Sequence, residues 1–168
     1  AFGTQPESAA AATKAVKEHA KVPVIVKLSP NVTSIVDIAK AAEDAGADAL
    51  SLINTLLGMR IDLNTRRPIL KNNTGGLSGP AVLPVAVRCL WQVSGAVSIP
   101  LLGMGGVSRG EDAVELMMAG ASAVAVGTAC FTDPRAPMQV LHGMETWAEQ
   151  HGVAQIASLT GTLQPWGA

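Results

Sequence analysis

The stretch Ile99-Pro100-Leu101-Leu102-Gly103-Met104-Gly105-Gly106-Val107, answered about twenty residues later by Ala123-Val124-Ala125-Val126-Gly127-Thr128, decides how this chain is read. Each half is a short apolar run that ends in glycine. Between them lies one amphipathic segment, residues 111–119, opened by Ser108-Arg109-Gly110-Glu111 in the form of a capping box and stopped by Gly120. Strand, glycine turn, helix and strand make a βα unit feeding a parallel sheet. Glycine turns at two successive strand ends bare backbone N–H groups at one end of that sheet. The loops after the last two strands of a (β/α)8 barrel build a phosphate site in this way.

The rest of the chain follows the same rhythm. Residues 6–20 are rich in Ala and Lys, with Pro6 at an early helical position and Glu7 in the first turn, and predict a helix. Residues 22–27 predict a buried parallel strand, and Ser34 through Asp37 cap a helix over 34–45 that Gly46 ends. Residues 49–54 give the next strand. Helices are expected over 83–93 and 138–150, and strands over 99–102 and 123–126. Ala45-Gly-Ala-Asp-Ala-Leu-Ser-Leu52 and Ala119-Gly-Ala-Ser-Ala-Val-Ala-Val126 repeat one pattern of helix stop and strand start.

The segment 55–80 has no helical period. Within it, 59–63 and 68–71 flank Asn64-Thr65-Arg66-Arg67 as a small hairpin, and Thr74-Gly75-Gly76-Leu77-Ser78-Gly79-Pro80 reads as a ligand-covering loop. One helix followed by four strand–helix units is half of an eight-fold α/β barrel. An open doubly wound sheet uses the same units and is the competing architecture. The outermost runs, 22–27 and 123–126, would be apolar sheet edges, which invite pairing with another chain.

Composition narrows the function. Apolar residues make up 48% of the 168 and charged residues 15%, with a net charge of −1, so the chain is globular and no basic surface draws it to nucleic acid. It has no Tyr and no basic stripe interleaved with aromatics on which bases could stack. No apolar run approaches the roughly 18 residues of a membrane span. Cys89 and Cys130 stand apart with no metal-ligand spacing, which fits a reduced cytoplasmic setting and no metal site. Ala1-Phe2-Gly3-Thr4 has neither an initiator Met nor a signal-peptide pattern, and reads as the middle of a longer chain.

Few residues are placed to do chemistry. Lys27 is a cation inside the apolar run Val24-Ile25-Val26-Lys27-Leu28, at a strand's C-terminal end where barrel enzymes gather functional groups. Asn54 and Thr55 end the second strand at the same height, and an amide with both donor and acceptor suits an imide-bearing ligand. Gly105, Gly106, Gly127 and Thr128 offer backbone amides, a helix start and a hydroxyl to one phosphate, so bulk at Gly106 is expected to obstruct it. His19, His142 and His151 fall in or just beyond helices and read as surface residues. Cys89 reads as packing, and Cys130 lacks a base beside it in sequence.

Taken in order, Val26-Lys27-Leu28-Ser29-Pro30-Asn31, Ser51-Leu52-Ile53-Asn54-Thr55, Thr74 through Pro80, Gly103-Met104-Gly105-Gly106 and Val126-Gly127-Thr128 resemble class 1 dihydroorotate dehydrogenase. The likeness is greatest to the NAD-linked class 1B catalytic subunit. It implies an FMN-dependent TIM barrel that oxidises (S)-dihydroorotate to orotate in pyrimidine synthesis. By the resemblance, Lys27 would contact the flavin ring, Ile53 and Gly79 would line the flavin, and Gly105, Gly106, Gly127 and Thr128 would hold its phosphate. Asn54 and Thr55 would bind the pyrimidine.

The family's cysteine base would precede the Ala-Phe-Gly motif at residues 1–3. The 168 residues therefore resemble the C-terminal part of one barrel domain, without a catalytic base and inactive alone. A homodimer and an electron-transfer subunit carrying FAD and an iron–sulfur cluster are further implications. Another FMN barrel acting on pyrimidines, of the dihydropyrimidine dehydrogenase kind, is one alternative; an inactive phosphate-ligand-binding remnant is the other.

Overall fold

The computed structural model describes residues 2–167. A short 3-10 turn leads into α1 (Pro6–Lys17), where Pro6 occupies a position that needs no N–H and Glu7 faces the positive helix end. There follow β1 (Ile25–Leu28), α2 (Ile35–Asp44) and β2 (Ala49–Leu52). Four short strands come next: β3 (Leu56–Gly58), β4 (Ile61–Asp62), β5 (Arg67–Pro68) and β6 (Gly75–Leu77). The chain closes with α3 (Leu83–Ser94), β7 (Leu101–Met104), α4 (Gly110–Met118), β8 (Ala123–Ala125), α5 (Ala129–Thr132) and α6 (Ala136–Gln150).

The main sheet is parallel throughout, in the order β1-β2-β7-β8, with Lys27 opposite Ser51, Ser51 opposite Leu102 and Leu102 opposite Ala123. Strand order follows chain order, and α1 packs on α2, α2 on α3, α3 on α4 and α4 on α6. A doubly wound sheet would reverse its strand order and carry helices on both faces. Here the crossovers share one side, so the sheet is an arc of a barrel with its helical ring outside.

Residues in register share a face. Leu28, Leu52 and Gly103 line up under the helices with Leu50 and Leu101 one row below, buried against Ile38, Ala39, Ala86, Leu90, Val93 and Leu116. The opposite face holds Ile25, Lys27, Ser51, Leu102 and Ala123, and Ile25 there is 52% exposed. The two outer strands, β1 and β8, are the edges that the sequence predicts.

Several boundaries move for identifiable reasons. The strand expected over 22–27 starts at Ile25, because Pro23 has no N–H to give. Val24 N–H instead donates to the Asp48 carboxylate at 2.6 Å, which also pairs with Lys17 at 2.7 Å. The strand expected over 99–102 runs from Leu101 to Met104, past Pro100 and into the glycine run. Gly103 is therefore a strand residue. A Cβ on it would lie 3.1 Å from Ala121 Cβ and 3.3 Å from Leu90 Cδ2, so glycine is there for helix–sheet packing.

The segment 55–80 is more ordered than its sequence suggests. The hairpin forms, with Ile61 opposite Pro68 and Asp62 opposite Arg67. The expected ligand-covering loop is in part strand: Gly75–Leu77 pairs antiparallel with Leu56–Gly58. Two glycines in a three-residue strand hide it from any propensity argument. The last helix opens at Ala136, since Pro137 is tolerated in a first turn, and the four-residue α5 before it is too short to show a helical period in the sequence.

Candidate functional site

The C-terminal ends of all four parallel strands open into one cavity of about 310 Å³. Every residue that the sequence analysis assigned to the cofactor or the pyrimidine lines it: Lys27 from β1, Ile53, Asn54 and Thr55 after β2, Gly79 before α3, Gly105 and Gly106 after β7, and Gly127 and Thr128 after β8; of the expected covering loop, Thr74, Gly75 and Gly76 do not. Parallel strands in sequential order place their exits side by side, so the convergence is a consequence of topology.

The two glycine turns differ in what they do. Gly105 and Gly106 have φ of 119° and 85°, a backbone region costly to residues with a Cβ. They also admit close neighbours. A Cβ at Gly105 would lie 3.0 Å from Ile53 Cγ1, and one at Gly106 would lie 2.7 Å from the backbone nitrogen of Leu83. The first thing that bulk at Gly106 meets is therefore the start of α3. At Gly127 a Cβ would meet nothing within 4 Å, and φ there is ordinary. Among the described residues, no group accepts the backbone N–H of Gly106, Gly127 or Thr128. Unpaired donors around an open concavity match what an anion needs.

Lys27 projects from the open face of β1, exposed, and among the described residues no carboxylate pairs with it. Ile53 is buried, with its N–H donated to Met104 O at 2.8 Å, and the Leu52–Ile53 peptide is cis. Asn54 N–H donates to Leu28 O at 2.9 Å, while the Asn54 and Thr55 side chains are exposed.

The start of α4 departs from expectation. The capping carboxylate is Asp112, not Glu111. Its Oδ2 accepts from Ser108 N–H at 2.9 Å, Ser108 Oγ at 3.0 Å and Arg109 N–H at 2.9 Å. Helix α4 begins at Gly110, which puts Asp112, one residue further on, where a reach-back bond is possible. Burial pushes the Asp112 carboxyl up. Hydrogen bonds from Ser108 and Arg109, with the Arg109 guanidinium, outweigh it and hold the group below the usual carboxylate range.

A lowered folded value means that this stabilisation is complete above the ordinary carboxylate range and is lost as pH falls through the folded value. Asp112→Ala is expected to cost about 1 kcal/mol at neutral pH, because it strips the part-buried Ser108 and Arg109 donors of their shared acceptor. Urea denaturation at pH 7 and at acid pH checks this: the gap between variant and parent closes as Asp112 becomes protonated.

Sequence reasoning passed over Val107, Ser108 and Thr132, which also line the cavity, and Asn31, which supports it from outside. Asn31 sits two positions after Ser29 in a Ser-Pro-Asn turn, a signal only that its side chain bonds backbone nearby. Cys130 is half-buried, with its Sγ directed at Val126 O 3.6 Å away, and does not line the cavity. His19, His142 and His151 are exposed, as expected. Among the described residues, no helix is long and apolar enough to cross a membrane.

Comparison with known proteins bears on this arrangement. The dihydroorotate dehydrogenase family model matches residues 1–147. The catalytic subunit of dihydroorotate dehydrogenase B (NAD(+)) from Pelobacter propionicus is 57% identical over 163 residues, covering 97% of this chain and 54% of that protein. Its namesake from Geobacter metallireducens is 58% identical over 163 residues, covering 97% and 53%. The structure of a dihydroorotate dehydrogenase from Eimeria tenella in complex with ferulenol superposes with a TM-score of 0.78 at 23% identity. That match covers 94% of this chain and 48% of the other, and shows a shared fold. The chain spans about half the length of the relatives it matches.

Proposed function

The chain belongs to the dihydroorotate dehydrogenase family, and from that membership we propose that it supplies one wall of an FMN and pyrimidine site in an enzyme oxidising (S)-dihydroorotate to orotate. The observation that carries this reading is the convergence of two glycine turns, one unpaired cation and one Asn-Thr pair on a single cavity. These residues suit FMN. Gly127 leaves open space where a phosphate would come, and among the described residues the N–H groups of Gly106, Gly127 and Thr128 are unspent and Lys27 carries the only charge on the cavity wall.

Bound there, FMN supplies the two-electron acceptor of the reaction. The chain's own part is positioning and charge. Gly105, Gly106, Gly127 and Thr128 would hold the phosphate through backbone donors and one hydroxyl. Ile53 and Gly79 would pack along the isoalloxazine, and Lys27 would place its ammonium where negative charge develops on the ring. Asn54 and Thr55 would meet the imide edge and fix the substrate above the flavin. The group that removes the C5 proton would come from the segment preceding this one in the full-length enzyme. By the same membership, electrons would pass on to NAD through a partner subunit bearing FAD and an iron–sulfur cluster, from a homodimeric catalytic subunit in the cytoplasm. The isolated 168 residues, with both sheet edges and the inner face uncovered, would self-associate and turn over no substrate.

Anaerobic titration of the FMN-loaded full-length enzyme tests the reading. Dihydroorotate is expected to bleach the flavin absorbance in stoichiometric amounts and dihydrouracil to leave it unchanged. NAD reduction is expected only when the partner subunit is added. Bleaching by dihydrouracil and not by dihydroorotate, or a protein that takes up no FMN, overturns it.

A further inference from the structure

Asn54 and Thr55 sit where β2 has ended and β3 has not begun, so their course depends on what their backbone bonds to. On the near side, Asn54 N–H is held by Leu28 O at 2.9 Å. On the far side, one side chain does the work of a missing strand. Asn31 Nδ2 donates to Thr55 O at 2.9 Å, and Asn31 Oδ1 accepts from Leu57 N–H at 2.8 Å. A planar amide thus bridges the same pair of backbone groups that a neighbouring strand would. Its orientation is fixed, because Nδ2 also donates to Ser29 Oγ at 3.2 Å and the Asn31 N–H reaches that same oxygen at 3.2 Å. Both Nδ2 hydrogens and the facing Oδ1 are engaged within the chain, so the amide is spent on the backbone and not offered to a ligand.

From below, Thr55 rests on β6. Gly76 is opposite Leu57 in the β3–β6 ribbon, and a Cβ at 76 would overlap Thr55 Oγ1 and lie 2.7 Å from Thr55 Cβ. Thr55 therefore keeps its place at the cavity wall only while position 76 has no side chain.

We infer that Asn31 and Gly76 are positioning residues for the pyrimidine: Asn31 fixes the backbone from residue 54 to 57, Gly76 sets the place of Thr55, and together they set affinity for the pyrimidine acid without touching it. The inference rests on the assignment of Asn54 and Thr55 to the substrate made above. If Asn31 and Gly76 only tied the loops together, substitution would change stability and leave ligand affinity alone.

The test reads orotate binding from its perturbation of the flavin spectrum in the FMN-loaded full-length enzyme, with FMN content and thermal midpoint measured alongside. Asn31→Ala is expected to weaken orotate about tenfold at unchanged FMN content, because the glycine turns lie on β7 and β8, away from the clamp. Asn31→Asp is close in shape and keeps the acceptor for Leu57 N–H, but sets a carboxylate oxygen against Thr55 O. It is expected to lose at least as much, and it carries the test should the alanine variant not fold. Gly76→Ala, on a different strand, is expected to give the same signature. Combined with Asn54→Ala, Asn31→Ala should cost less than the sum of the two, because the clamp acts through the residues it holds. Orotate affinity within twofold of the parent in Asn31→Asp and Gly76→Ala, or strict additivity in the cycle, overturns the inference. A parent enzyme that binds FMN but no orotate overturns the functional reading first, and is told apart by needing no variant.

Discussion

Replacing Lys27 by alanine in the full-length enzyme is expected to slow flavin reduction by dihydroorotate roughly 10²- to 10³-fold, with little change in stability. The side chain stands on the open face of β1, exposed, and among the described residues no carboxylate pairs with it. Removing it therefore breaks no ion pair and opens no hole in the buried row of Leu28, Leu52 and Gly103 on the other side of the sheet. Its proposed work is electrostatic. A fixed ammonium at the cavity wall favours whichever state carries more negative charge at the ring, and reduction adds that charge. The same argument predicts a more negative flavin midpoint potential in the variant. Stopped-flow reduction, a redox titration and a melting curve separate the effects. A variant with parental reduction rate and potential would return Lys27 to a lysine whose stem merely covers the sheet face.

The part of the fold legible in the sequence was set by local chemistry. Ser34 caps α2 by accepting Asp37 N–H at 3.3 Å, and Gly46 and Gly120 stop helices with φ of 94° and 123°, as their positions in the sequence imply. Four βα units in chain order then leave little freedom, since right-handed crossovers bring every strand exit to one rim. That is why Lys27, Asn54, Thr55 and the two glycine turns, each at a strand exit, share one cavity; Ile53 and Gly79, which the family resemblance alone implied, line it as well.

What stayed hidden depends on contacts between segments distant in sequence. Nothing local marks Asn31 as partner of residues 55 and 57, which lie 24 and 26 positions away. Gly75 and Gly76 read as loop because their strand is held by pairing with β3 and by the room Thr55 takes, not by intrinsic propensity. The sequence points to Glu111 where the structure uses Asp112, because the helix starts one residue later than Ser108 implies and a cap is decided at that scale.

Gly106 and Gly127 look alike in sequence, and the structure separates their expected behaviour. Gly106→Val must take up φ of 85° with a β-branched side chain and drive its Cβ to 2.7 Å from Leu83 N and 2.9 Å from Leu83 Cα. Neither is the far end of a flexible group, so the start of α3 would have to move. A loss of more than about 3 kcal/mol of stability is expected, from backbone strain and overpacking together. Its loss of FMN would then follow from a displaced turn, and would say little about the phosphate itself.

Gly127→Val meets no protein atom within 4 Å and no unfavourable φ, so its fold should melt as the parent does. Its side chain would fill the space beside the unspent N–H groups of Gly127 and Thr128. Charge-assisted bonds from one or two such donors are worth about 1.5–3 kcal/mol, which corresponds to roughly ten- to hundredfold weaker FMN binding. Flavin titration of the two full-length apo-variants, with urea melts of each, reads both quantities. Parental FMN affinity in a well-folded Gly127→Val protein would remove the β8 turn from the phosphate site. The β7 turn would then have to hold the anion alone, through the N–H groups of Gly105 and Gly106, for which no acceptor exists among the described residues.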